Sequence, residues 1–201
     1  MNLAVHKTDS STSANRNAGG ASGSAGKGPF FSRLFPCRTF EDCFSSGRSA
    51  MHDGKYLSAA HHFKAAAKKN PTSAEAHFLL GEALSQFCYL LADYGIPVSR
   101  HYVAEAVSAY ESACCNESPV GNSQILYNAH YNKAKLIYDF RANDRLNEAF
   151  MSADSVACAL DAPERGTING EIDLLFKARA LRDRIQSAIN RGFEPDSDAQ
   201  P

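Results

Sequence analysis

The side chains able to do chemistry in this chain are six cysteines, seven histidines and a glycine-rich run near the start. The cysteines are Cys37, Cys43, Cys88, Cys114, Cys115 and Cys158. None forms a C-x-x-C pair, and a chain of 201 residues does not need disulfide staples. Cys88 and Cys158 fall on apolar helical faces, where a thiol acts as a small hydrophobe. This usage points to a reducing, intracellular compartment. Adjacent Cys114 and Cys115 read as two ordinary thiols at a helix end. Among the histidines, His61 and His62 are neighbours, and on a helix neighbours point about 100° apart, too far to share one metal. No H-x3-H pair occurs among the rest. The run from Gly20 to Gly28 fails the phosphate-loop pattern twice, at Ala21 and at Gly28. No catalytic, cofactor-binding or metal-binding residue is therefore nominated, and the chain is read as a non-enzyme.

Composition narrows the classes further. The net charge of −1 argues against a general nucleic-acid binder, which carries an excess of Lys and Arg. No apolar run approaches the roughly 18–20 residues that span a bilayer. That average hides two parts. Up to Arg38 there are five basic residues (Lys7, Arg16, Lys27, Arg33, Arg38) and one acid, Asp9. The remainder therefore carries the negative balance. Residues 1–36 are rich in Ser, Gly, Ala and Asn, too polar to offset chain entropy, and are expected to be a disordered leader. Basic, Ser-rich and acid-poor, this leader resembles an organelle transit peptide and also the export signals of bacterial type III substrates. The expected location is cytoplasmic, or an organelle or the outside of the cell if the leader is an address.

From Thr39 onward the elements are helical. Thr39-Phe40-Glu41-Asp42 has capping-box spacing, and Asp53-Gly54 ends the first helix. A second runs from Lys55 to Lys69, stopped by Asn70-Pro71. Thr72-Ser73-Ala74-Glu75 is a second capping box and opens a long third helix to Asp93. The fourth spans Ser99 to Cys115, the fifth Ser123 to Arg141, the sixth reaches Leu160, and the seventh runs from Glu171 to Asn190. The apolar stripe of the last, with Lys177, Arg179 and Arg182 facing out, suits a cap. Residues 191–201 are an acidic, frayed tail.

The helices carry an internal repeat. Ala59-x3-Phe63 followed by Pro71 fits the second half of the tetratricopeptide signature, and His77-x2-Leu80-Gly81-x2-Leu84 fits the first half. Ala106-x3-Tyr110 repeats the second half, and Ala149-x3-Ala153 is a degenerate copy. Residues 39–190 thus resemble a tetratricopeptide-repeat protein, with Ala59, Ala106 and Ala149 spaced more widely than the family's 34-residue period. The resemblance implies an all-α, right-handed α-solenoid of about three helix pairs plus a C-terminal capping helix. It also implies a concave groove for a partner's peptide or helix. Groove residues expected on the first, third and fifth helices are Glu41, Phe44, Arg48, Phe78, Glu82, Gln86, Tyr131, Lys135 and Tyr138. The heat-shock chaperone class of these repeats clamps a terminal carboxylate with Lys, Asn and Arg. The matching positions here are Phe44, Arg48, Leu79, Asn128 and Asn132, with no Lys, which argues against a chaperone-tail adaptor. The mixed, aromatic set suits a hydrophobic or helical ligand.

Overall fold

The computed structural model describes residues 38–116, 123–161 and 169–191, all within the unit that runs from Cys37 to Pro201. The expectations for the 1–36 leader and for the tail beyond Arg191 lie outside the described residues. The described residues form seven α-helices: α1 (Phe40–His52), α2 (Tyr56–Lys69), α3 (Ala74–Asp93), α4 (Arg100–Asn116), α5 (Ser123–Asp139), α6 (Leu146–Leu160) and α7 (Asn169–Asn190). No strand occurs among the described residues.

Local chemistry sets the starts. Thr39 Oγ1 accepts from the Asp42 N–H at 3.1 Å, and Asp42 Oδ2 accepts from the Thr39 N–H at 3.1 Å, so the capping box at α1 is complete. At α3 the cap is Ser73, whose hydroxyl accepts from the Ala76 N–H, and not Thr72, whose hydroxyl bonds Asn70 instead. With two hydroxyl residues in a row, the backbone turn after Pro71 decides which one reaches the free N–H groups. Before α6 lies a 3-10 turn, Asn143–Arg145, and α5 ends at Asp139 instead of Arg141.

The ends of α1, α3 and α5 share one device. Lys55 N–H bonds Ala50 O and Gly54 N–H bonds Met51 O. Ile96 bonds Leu91 and Gly95 bonds Ala92 in the same way, as do Ala142 to Ile137 and Arg141 to Tyr138. Each pair is a Schellman terminator, which puts its central residue in the left-handed region. Those residues are Gly54 (φ 71°), Gly95 (φ 67°) and Arg141 (φ 51°). The same stop thus closes the first helix of three successive pairs.

Each helix packs on the next along the chain, α1 to α7, and α3 also touches α5, as α5 touches α7. The odd-numbered helices from α3 onward therefore share one layer. Within pairs, glycine sets the depth of contact. A Cβ on Gly47 would lie 2.6 Å from the Phe63 ring, and one on Gly81 would lie 2.8 Å from the Tyr110 ring. Both rings are fully buried, so each glycine is the floor on which the partner helix rests its aromatic. In the third pair the equivalent Ala153 leaves no ring to accommodate, and buried Ala134, Ala149 and Ala153 keep the helices close. Cys88 is buried in this core as expected, whereas Cys158 is exposed, on the solvent side of α6. No disulfide joins the five described cysteines.

Polar contacts tie the pairs together. Lys69 Nζ donates to Arg38 O at 2.8 Å, holding the end of α2 against the start of α1. Arg145 bonds Glu111 on α4 and Glu148 on α6, and buried Lys133 on α5 reaches Glu148 at 3.2 Å. Burial pushes the Glu148 carboxyl upward, but its bonds to Arg145 and Lys133 outweigh that and hold it below its ordinary value. Arg182 on α7 lies half-buried and bonds Asp154 on α6 and exposed Asp183.

Candidate functional site

The layer made by α3, α5 and α7 carries a cleft of about 360 Å3. From α3 it takes Glu82, Ser85, Gln86 and Tyr89, which at i, i+3, i+4 and i+7 form one stripe of the helix. From α5 it takes Tyr131, Asn132 and Lys135, and from α7 Lys177. Tyr110 reaches the floor from α4. A second cleft of about 270 Å3 adjoins it, sharing Tyr131, Asn132 and Lys177. Its remaining walls are Gln124, Tyr127 and Asn128 on α5, with Glu171, Asp173 and Leu174 on α7. Leu174 is the one aliphatic side chain in either lining.

The floor is fixed by buried hydrogen bonds. Ser85 Oγ donates to Gly81 O at 2.8 Å and lies 3.1 Å from the Tyr110 hydroxyl. Burial pushes the Tyr110 hydroxyl far above the usual phenol range, so it stays neutral. One wall is a closed triad. Lys135 Nζ donates to Asp139 Oδ2 at 2.6 Å and to the Tyr89 hydroxyl at 2.8 Å, and the Tyr89 hydroxyl donates to Asp139 Oδ2 at 2.9 Å. The same ammonium stands 4.2 Å from the Tyr89 ring centroid, at cation–π distance. Burial first, and then Asp139, push the Tyr89 hydroxyl upward. Lys177 is paired with Asp173 one turn earlier on α7. Glu82 differs from these. It is half-buried, burial pushes its carboxyl upward, and no ion-pair or hydrogen-bond partner of it occurs among the described residues.

Of the nine residues expected to line a groove, Glu82, Gln86, Tyr131 and Lys135 meet in this cleft. The other five lie elsewhere. Phe78 packs on Tyr110 at 6.0 Å between centroids, on the core side of α3. Tyr138 packs on the main core. Phe44 sits between Phe40 at 5.3 Å and Phe63 at 5.8 Å. Arg48 lies 5.5 Å over the Phe44 ring and 3.8 Å from Glu75, and Glu41 is exposed in the first turn of α1. Aromatic rings on the expected groove face found other rings to pack on. Asn128 and Asn132 on α5 do line the clefts, whereas Leu79, the α3 position considered with them, packs on the core.

Ser85, Tyr89, Tyr110 and Lys177 were not expected here. Extending the Glu82–Gln86 stripe by one turn finds Ser85 and Tyr89. Nothing local marks Tyr110 or Lys177, which enter from other helices. Ser85 is committed to Gly81 and Tyr110, and no histidine bonds it among the described residues. Among those residues no three His, Cys, Asp or Glu side chains stand together to hold a metal ion, and no helix is long and apolar enough to cross a membrane. The Cys88 and Cys114 thiols are pushed up to about 11 by burial, away from the activated range. No protein-family model matches the chain, and no curated protein matches it.

Proposed function

We propose that this chain is a non-enzymatic protein-interaction module, built on tetratricopeptide-like helix pairs, that holds a segment of a partner polypeptide against α3, α5 and α7. The observation that carries this reading is the lining of the cleft. Three helices each contribute one continuous stripe, and those stripes are tyrosine, carboxamide and charged groups with almost no aliphatic surface. Carboxamides of Asn128, Asn132 and Gln86 suit the donors and acceptors of an extended backbone, and tyrosine gives contact area at low entropic cost. This lining fits an extended segment better than the apolar face of a helix. The tetratricopeptide assignment is supported by the recurring glycine–ring contacts of Gly47 with Phe63 and Gly81 with Tyr110, and by the shared terminators of α1, α3 and α5.

The test is selection of random displayed dodecapeptides against the full chain. Enriched peptides are expected to bind at least tenfold more weakly to Tyr131→Lys, with the helical circular dichroism unchanged. Absence of enrichment, or binding indifferent to Tyr131→Lys, would count against the reading.

A further inference from the structure

We propose that the cleft selects an arginine side chain of the partner segment, with Glu82 as its counter-ion. The inference rests on the peptide-binding reading above and specifies the chemistry it recognises.

Charge accounting carries it. Lys135 is neutralised by Asp139 and Lys177 by Asp173, each through a direct ion pair. Glu82 is the remaining charge in the lining of the cleft of about 360 Å3, and no described residue pairs with it. A half-buried carboxylate without a partner is costly, and a ligand cation that pairs with it recovers that cost on binding. Burial already raises the Glu82 carboxyl, the direction that an incoming cation reverses.

The walls choose between cations. Tyr131 lines the same cleft as Glu82, while Tyr89 carries the Lys135 ammonium over its ring and Tyr110 is buried in the floor. A guanidinium is planar, weakly hydrated, stacks on aromatic faces and can meet a carboxylate with two parallel bonds. An ammonium is more strongly hydrated and loses more on entering. Nucleic acid, an anionic ligand, is disfavoured by the same carboxylate.

The probes are the dodecapeptides selected on the full chain. Each is expected to hold an arginine whose replacement by glutamine weakens binding tenfold or more. Glu82→Gln should weaken the parent peptide to the same extent, yet change the arginine-free peptide less than twofold. Glu82→Gln removes only a partnerless charge, so the chain should melt no lower than the parent. Gln86→Glu, one turn along in the same lining, should tighten the parent peptide, a gain that misfolding cannot produce. Tyr131-dependent peptides that lack a coupled arginine, or that are acidic, would overturn this inference and leave the peptide-binding reading standing. Weaker binding to Gln86→Glu would also overturn it. Failure to enrich any peptide would overturn both.

Discussion

At Gly81 the missing side chain is what lets α4 approach α3. The Tyr110 ring lies 2.8 Å from where a Cβ would stand, and Tyr110 is locked by burial and by its bond to Ser85. A mid-helix glycine ordinarily gives up about 0.5–1 kcal/mol relative to alanine. Here the sign should reverse, because overpacking a closed core costs about 1–3 kcal/mol. Gly81→Ala is expected to lower the urea midpoint, and the loss should shrink when Tyr110→Leu is already present. A stabilised Gly81→Ala would show that the ring yields. The contact was half legible. Gly81 and Tyr110 both stand in signature positions, but Gly47 opposite Phe63 does not announce itself, since nothing in its neighbours fits the pattern.

At the scale of elements, helix ends and junctions are where the sequence was least direct. Two terminators use glycine, whereas α5 uses Arg141 in the left-handed region, where a Cβ costs roughly 1–2 kcal/mol. Arg141→Gly is expected to raise stability by about 1 kcal/mol, part of the relief being offset by glycine's greater freedom in the unfolded chain. An unchanged melting temperature would contradict it. The junction of α4, α5 and α6 depends on Glu148. Its folded carboxyl sits below the ordinary 4.5, so its stabilisation is complete above that value and is lost as pH falls through the lower folded value. Glu148→Gln should therefore destabilise by about 1 kcal/mol at pH 7, a modest figure because the pair is partly solvated. The difference from the parent should close at acid pH, where the parent's carboxyl is protonated too. Denaturation at both pH values checks it, and a pH-independent difference would mean that the carboxylate charge is not what matters.

At the scale of the whole array, α7 covers what α6 cannot cover for itself. Tyr127, Val156, Ala157 and Leu160 pack with Ala178, and Leu181 and Ile185 join the main core. Burying Leu181 and Ile185 alone is worth at least about 3 kcal/mol. A chain ending at Asp161 is expected to melt at lower temperature and to bind a hydrophobic dye, since stacked repeats need a closing helix. Melting like the full chain would show that α7 is an accessory. The same truncation removes Lys177 and Asp173, so the cleft and the cap are lost together.

Periodicity and capping chemistry are short-range, and from them the sequence determined seven helices, their pairing and a small-residue repeat. Thr39 and Asp42 sit three residues apart and needed nothing else to be read. The tertiary structure decided which face of each helix met which. Tyr110 enters the cleft from α4 because Gly81 lets it through, and Lys177 enters because α7 lies against α5. Phe44 and Phe78 pack with other rings for the same reason. A helical stripe marks residues that share a face, but the depth and angle at which helices pack depend on side chains far apart in the chain. Only packing therefore decided that Glu82 would stand half-buried without a described partner, in a cleft where every other charge around it is paired.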